Sequence, residues 1–521
     1  MVGMGERDNA STTFIDANLE AERGDRVAIR CGGTAHTYRQ VSAMVCRMGH
    51  ALRSLGVRRE ERVALALPDS PDFVAGFFGA MRIGAVPVPL NTRLHGPEYR
   101  YMLGDCRARV LVAHETAMPA IRPQRADLQH LEHVVVVGRA DDDEVDAQAL
   151  LARQPDTLDP IDTHRDEPGF WLYSSGSTGF PKGVVHRHHD LVHCADHYAR
   201  NVLSLDQDDR TLSAAKLFFA YGLGNSLYFP FRVGATCVLH PDPPKPGDLF
   251  ALIETERPTV FFGVPTLYAA MLEAAADHPY DLRSLRLCVS AGEALPAELF
   301  RQWHQRFGVE ILDGIGSTEM LHIYLSNRAG RVVPGSSGTP VSGYEVKILD
   351  ERESAVAVGE IGNLWVKGDS CSPGYWNRRQ DTLRAMRGEW FHSGDTYSQD
   401  ADGVFWFRGR ADDMMKVGGQ WVSPVEVESA LIEHPGVLEA AVVGQQDAEG
   451  LVKPKAYVVL ASGRVASDAL AAELEAFVAQ RIAGYKRPRW IAFVESLPKT
   501  TTGKIQRFKL RDPTGRPSSD R

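Results

Sequence analysis

Ser174-Ser175-Gly176-Ser177-Thr178-Gly179-Phe180-Pro181-Lys182-Gly183 lies between the apolar run Phe170-Trp171-Leu172-Tyr173 and the pair Val184-Val185. Its ten residues hold four hydroxyls, three glycines and one lysine. Apolar runs on both sides predict strand, loop, strand. Glycine lets a backbone approach a ligand and aim its amides inward. Hydroxyls donate to phosphate oxygens, and Lys182 adds a point charge. The loop is therefore built to hold a polyphosphate. A Walker-type loop needs Gly-Lys-Ser/Thr opening a helix, whereas Pro181-Lys182-Gly183 leads into a β-rich run. A dinucleotide fingerprint fails too, because Gly314-Ile315-Gly316 has Glu319 where its third glycine belongs. A flexible serine-glycine linker would not be flanked this tightly by strands.

The chain has 521 residues, too many for one core, so two or three domains are expected. A formal net charge of −9 leaves no basic excess to neutralise a nucleic-acid backbone. Seven widely spaced cysteines without Cys-x-x-Cys argue against a disulfide framework and fit a reducing cytoplasm. Met1 to Asn9 has no apolar core of the secretory kind. The apolar region Phe73 to Leu90 is broken by Arg82, Gly84, Pro87 and Pro89, so it reads as helix then strand and not as a membrane span. The polar tail Asp512 to Arg521 is expected to be disordered.

Helical and strand patterns alternate over the first 400 or so residues, which implies α/β layers with largely parallel sheets. Pro71 to Ile83 reads as a helix stopped by Gly84, and Val86 to Leu90 as the next strand. Leu285 to Ser290 reads as a buried strand and Pro296 to Phe307 as a helix. After the strand Val404 to Phe407 the pattern changes to a smaller α+β unit. Ser423-Pro424-Val425-Glu426 has the form of a capped helix start, and Ser467 to Ala483 that of an amphipathic helix stopped by Gly484. The expected fold is thus a large N-terminal α/β domain over 1–411, with room for a β-barrel subdomain, and a small mobile α+β domain over 412–521. The small domain carries Pro498-Lys499-Thr500-Thr501-Thr502-Gly503-Lys504, a second loop rich in hydroxyls.

The phosphate loop resembles the signature of the adenylate-forming superfamily, which comprises acyl-CoA ligases, adenylation domains and luciferases. Further motifs match in order. Gly316-Ser317-Thr318-Glu319 resembles the loop whose threonine contacts phosphate and whose glutamate binds Mg²⁺, and a hard cation suits that carboxylate. Ser290-Ala291-Gly292-Glu293 resembles the segment lining the adenine site, and His392-Ser393-Gly394-Asp395 the motif whose aspartate accepts from the ribose hydroxyls. Arg410 resembles the arginine near ribose and phosphate. Asp412 falls on the hinge, Gly418 and Gly419 on the channel for coenzyme A, and Lys504 on the C-terminal catalytic lysine. The resemblance thus implies a nucleotide site of Ser174, Ser175, Gly176, Ser177, Thr178, Lys182, Ala291, Gly292, Glu293, Asp313, Gly314, Ile315, Asp395 and Arg410. It further implies catalysis by Lys504, Thr318 and Glu319, with Glu319 and Thr178 toward the metal. Ile315 departs from the many members that have an aromatic residue there, so the adenine keeps an apolar contact and loses stacking.

Lys216 to Asn225 and Asp313 to Ile323 resemble the benzoate-CoA ligase branch. Ala220 and Tyr221 would form one wall of an acid pocket, and Gly316, Leu321, His322 and Ile323 the other. That slot suits a small aromatic ring. The implied function is ATP-dependent aryl-acid CoA ligation, through an acyl-adenylate, with ATP, Mg²⁺ and coenzyme A. A homodimer is compatible with it, and neither nucleic acid nor membrane is implied. The rival readings are an adenylation protein that loads a carrier protein, a ligase for a related aryl acid, and a non-catalytic sensor. Intact Lys182, Glu319 and Lys504 count against the sensor. No Gly-x-Ser-x-Gly elbow supports hydrolase chemistry. His186, His188, His189, His193 and His197 have helical spacings but no obvious carboxylate or cysteine partners, and read as a helix start rather than a metal site.

Overall fold

A computed structural model describes residues 5–174, 180–276, 278–411, 413–417, 420–447, 450–499 and 505–511, without the side chain of Trp421. Ser175, Gly176, Ser177, Thr178, Asp412, Gly418, Gly419 and Lys504 lie outside the described residues, as does the tail 512–521.

Short continuous apolar runs become the parallel strands, because helices cover both faces of such sheets and leave no side for water. A nine-stranded sheet is parallel at its centre, where Arg210–Ser213, Val260–Gly263, Leu287–Ser290 and Ile311–Gly316 lie in that order. Its edge turns antiparallel where Ile311–Gly316 meets Ile323–Ser326. A five-stranded parallel sheet has the order Val86–Pro89, Arg62–Ala66, Val110–His114, His133–Val137, Val145–Asp146. The helix Pro71–Arg82 packs in this half of the molecule as its sequence predicts. The Ser70 side chain accepts from Phe73 N at its start, and Gly84 takes φ +71° just beyond its end. The sequence left room for a β-barrel subdomain; Tyr344–Leu349, Gly362–Gly368, Met386–Arg387, Trp390–Gln399 and Phe405–Arg410 form an antiparallel sheet whose pairing stays open among the described residues. The last strand continues past Phe407, because Arg410 pairs in register with Asp395.

The phosphate loop joins Pro168–Ser174 to Lys182–Arg187, an antiparallel hairpin with Ser174 opposite Lys182. Trp171 packs on Trp376 at a ring separation of 4.6 Å and fixes one face of that hairpin.

The C-terminal unit has its own core, with Val427, Leu431, Val442, Val458, Leu474 and Val478 all buried. Its sheet pairs Val437–Gln446 with Val452–Leu460, and the latter with Trp490–Phe493. The Ser423 side chain caps Pro424–Ile432, but Glu426 turns away from the cap and pairs with Lys486 at 2.6 Å. The amphipathic helix is shorter than its pattern, Asp468–Ala479, and ends before Gly484 can act as its cap. Met415–Val417 and Gln420–Val422 are paired strands joined through Gly418-Gly419. No described helix is long and apolar enough to cross a membrane.

Buried Glu428 anchors the terminal segment. It accepts from Val442 N at 2.7 Å and from Arg507 Nη2 at 2.7 Å. Removing one partner of such a pair leaves the other charge buried and unmatched. Glu428→Ala is expected to destabilise the C-terminal domain by about 3 kcal/mol, read as an earlier urea transition by circular dichroism; an unchanged midpoint contradicts the anchoring role.

Candidate functional site

A cleft of about 2680 Å³ runs between the large unit and the C-terminal unit. Ser174, Lys182, Gly292, Glu293, Thr318, Glu319, Asp395 and Arg410, drawn from five separate stretches of chain, all line it.

The phosphate hairpin and the Gly316–Glu319 segment meet at one carboxylate. Glu319 Oε1 accepts from Tyr375 OH at 2.9 Å and from Ser174 Oγ at 3.4 Å. Lys182 Nζ lies 3.4 Å from Asp381 Oδ1 and 5.1 Å above the Tyr375 ring. Beneath them, His186 is completely buried, with Nδ1 2.8 Å from Asp190 Oδ2 and Nε2 2.7 Å from Thr318 O. The strand end is shaped by glycine. A Cβ on Gly316 would fall 2.4 Å from His322 O, and one on Gly314 2.7 Å from Leu325 O. Only bare backbone lets this edge pair so closely.

Asp313 is 4% exposed, accepts from Leu295 N at 3.3 Å with Oδ2, and has no hydrogen-bond partner for Oδ1 among the described residues. Burial pushes its carboxyl up to about 8. An uncharged carboxyl at the cleft wall can donate as well as accept. Ala291 is buried beside it, and Glu293 Oε1 accepts from Ile505 N at 3.0 Å, a bond that crosses from the C-terminal segment to the large unit. On the far side, Arg410 Nη1 contacts Asp395 Oδ1 at 2.9 Å. Gly394 takes φ +73° at this corner.

Of the residues read as the acid wall, Gly316 lines the cleft together with Phe218, Phe219 and Ile315, whereas Ala220, Tyr221, Leu321, His322 and Ile323 lie behind that lining. Ala220 and Tyr221 begin the short helix Ala220–Leu223, and the Tyr221 hydroxyl donates to Val289 O at 3.2 Å. Leu321, His322 and Ile323 are buried. His322 is caged by aromatic rings, with Phe229 at 4.4 Å and Tyr221 at 5.6 Å. Its Nε2 meets Asn225 Oδ1 at 3.2 Å, and Nδ1 has no partner among the described residues. Burial pushes the imidazole down to about 3, so it is neutral. Leu321 takes φ +67°, a left-handed conformation that a leucine adopts only where its surroundings impose it.

Sequence reasoning missed Tyr375 and Asp381, and it gave no separate role to His186, read as part of the histidine run, or to Asn225, the last residue of the stretch Lys216 to Asn225. Each has a partner far away in the chain. The histidine run also gains a partner from afar. His189 Nε2 lies 2.6 Å from Asp369 Oδ2, and one ligand atom each of His189, His193 and Asp369 fall within 4.8 Å of one another. However, Arg165 Nη2 contacts both His189 Nδ1 at 2.7 Å and Asp369 at 3.3 Å, and Arg187 also faces Asp369 at 3.7 Å. Guanidinium groups already neutralise that carboxylate, so Asp369 belongs to an ion-pair network with Arg165 and Arg187, and His193 joins it through ring contacts with His189 and His197.

Residues 16–376 match the model of the AMP-binding enzyme family, and residues 426–504 match its C-terminal domain. The chain belongs to the AMP-binding enzyme family. Among its relatives, the benzoate–CoA ligase of Thauera aromatica is 49% identical, over 97% of this chain and 96% of that one. The crystal structure of the anthranilate CoA ligase AuaEII in complex with anthranoyl-AMP aligns with a TM-score of 0.94 at 45% identity, covering 97% of both chains. A benzoate CoA ligase from Burkholderia xenovorans LB400 aligns with a TM-score of 0.89 at 44% identity, covering 97% of this chain and all (100%) of that one. This AMP-binding enzyme therefore has the α/β architecture of the adenylate-forming superfamily, with a large N-terminal and a small C-terminal domain.

Asp313 yields a test with a definite sign. Its folded value lies above the unfolded one, so the protonated form contributes stability at low pH that is lost as pH rises through the folded value. The thermal midpoint is expected to fall less steeply for Asp313→Asn than for the parent between about pH 5 and pH 8; parallel slopes contradict the assignment.

Proposed function

We propose that this enzyme activates benzoate with ATP and passes the benzoyl group to coenzyme A. The observation that carries the arrangement is the hydrogen bond from Ile505 N to Glu293 Oε1 at 3.0 Å. It holds the residue next to Lys504 against the segment read as the adenine wall. The 49% identity to the benzoate–CoA ligase of Thauera aromatica supports the choice of acid.

The protein is an acid–thiol ligase that forms acyl-CoA and releases AMP and pyrophosphate. In the first half-reaction a carboxylate oxygen attacks the α-phosphorus of ATP, and the bond to pyrophosphate breaks. In the second, the thiol sulfur attacks the acyl carbonyl, and AMP departs with the electron pair of the C–O bond. Two unit charges about 4 Å apart repel by about 1 kcal/mol in water and several-fold more in a dry site. A cation between acid and phosphate removes that barrier, and this is the role proposed for Lys504. Lys182, Ser174 and the hydroxyls of 175–178 hold the leaving phosphates. Thr318 positions a phosphate oxygen.

Mg²⁺, when bound, neutralises phosphate oxygens as charge builds on them. Glu319 fits it as a hard oxygen donor, with Thr178 a second ligand. Ala291, Gly292, Asp313, Gly314 and Ile315 enclose the adenine, Asp395 accepts from the ribose hydroxyls, and Arg410 faces the same corner. Ala220, Tyr221, Gly316, Leu321, His322 and Ile323 receive the aryl ring. The C-terminal domain, 412–521, turns about Asp412 between half-reactions and brings the Gly418-Gly419 channel to the acyl group. Free cysteines throughout suit a cytoplasmic setting. The proposed assembly is a homodimer, which a solution mass measurement checks.

The experiment is a panel of carboxylic acids with ATP, Mg²⁺ and coenzyme A, with acyl-CoA read by mass. Benzoate is expected to lead. Aryl-dependent pyrophosphate release without acyl-CoA would replace coenzyme A by a carrier protein. Lys504→Ala is expected to lower benzoate-dependent pyrophosphate exchange by about 100- to 1,000-fold, with thiol capture of supplied benzoyl-AMP largely retained; equal loss in both half-reactions removes Lys504 from its role. Ala220→Leu is expected to shift relative rates across substituted benzoates, and unchanged ratios take Ala220 out of the acid wall.

A further inference from the structure

The segment 374–385 carries none of the motifs read from the sequence, yet it clasps the phosphate hairpin. Trp376 N donates to Gly183 O at 2.8 Å, Val185 N donates to Gly374 O at 3.3 Å, and Val184 and Tyr375 form an antiparallel bridge. Trp376 Nε1 donates to Asp105 O at 3.0 Å, and Tyr375 N donates to Thr382 Oγ1 at 3.0 Å. The backbone of this segment is thus fixed against the hairpin on one side and its own helix, Arg379–Ala385, on the other.

Tyr375, Asp381, Arg384 and Ala385 of this segment line the cleft, and the first two each meet one of the two groups proposed to handle triphosphate. Tyr375 OH donates to Glu319 Oε1 at 2.9 Å. Asp381 Oδ1 lies 3.4 Å from Lys182 Nζ, with both side chains largely sheltered at 18% and 14% exposure. The Lys182 ammonium also lies 5.1 Å above the Tyr375 ring. A donor bond to one Glu319 oxygen fixes the plane of the carboxylate and leaves its second oxygen for a cation. An ammonium held by a single carboxylate, in contrast, exchanges it for a more highly charged phosphate when one arrives.

We propose that Tyr375 and Asp381 are positioning residues of the adenylating site: Tyr375 aims the Glu319 carboxylate, and Asp381 stations Lys182 beside the phosphate hairpin until nucleotide phosphate displaces it. The inference rests on the roles proposed above for Lys182 and Glu319. Asp381 therefore competes with ATP for Lys182, and Tyr375 acts only on the metal-dependent part of nucleotide binding.

Calorimetry on the full chain separates these effects from a general structural role, with AMP, ATP plus chelator, and ATP plus Mg²⁺ as titrants. Asp381→Asn is expected to bind ATP about threefold more tightly, Asp381→Glu to restore parental affinity, and the gain to vanish in a Lys182→Met background. Tyr375→Phe is expected to lose about tenfold of the Mg²⁺-dependent gain in ATP affinity, with AMP affinity unchanged. Equal losses for AMP and ATP, an unaltered Mg²⁺ gain, or an Asp381→Asn effect that persists without Lys182 would overturn the inference. Should Tyr375→Phe not fold, the cycle of Asp381 with Lys182 decides alone. A parent protein that binds no ATP would instead overturn the functional reading itself.

Discussion

The imidazole of His186 is fully buried and has a partner on each ring nitrogen, Asp190 on one side and the carbonyl of Thr318 on the other. Both partners are oxygen atoms from separate stretches of chain, and together they fix the orientation of the ring. This ring is what couples the phosphate hairpin to the Gly316–Glu319 segment. His186 belongs to the returning strand of the hairpin, and Thr318 to the turn after Ile311–Gly316. A buried polar group without partners costs about 1–3 kcal/mol, so the two segments are bound to keep this spacing. Glu319 then reaches Ser174 across a gap that the imidazole has already set.

Charge is handled locally. The chain is acidic overall, at −9, yet its proposed site must accept a polyanion. Two cations proposed for that task each rest on a carboxylate, Lys182 on Asp381 and Arg410 on Asp395. Such pairing keeps positive charge stable in a partly dry cleft and leaves it exchangeable for phosphate. The same logic closes the network around Asp369, since Arg165 and Arg187 arrive there with no cleft to face.

Much of this was legible in the sequence, and the rest fails for identifiable reasons. The hairpin, the capped helix Pro71–Arg82 and the buried strand Leu287–Ser290 are local: neighbours in the chain determine them. Glu426 has the spacing of a capping residue, but Lys486, from far along the chain, claims its carboxylate. The helix expected to reach Ala483 ends at Ala479, because apolar periodicity continues past the point where backbone bonding stops. Arg410, read as lying beyond its strand, belongs to it because Asp395 lies opposite. Tyr375, Asp381 and the partnership of His186 with Thr318 were invisible for one shared reason. Each acts on a group that the chain brings near only through sheet packing, and no spacing rule reaches that far.

Leu321, in its left-handed turn, has a consequence for reshaping this enzyme. Branching at Cβ is incompatible with that backbone, so valine, isoleucine and threonine are closed to position 321, whatever room the neighbouring side chains leave. The repertoire there narrows to glycine, asparagine, aspartate and unbranched side chains. A library built to widen the proposed aryl slot therefore gains nothing from β-branched residues at this codon.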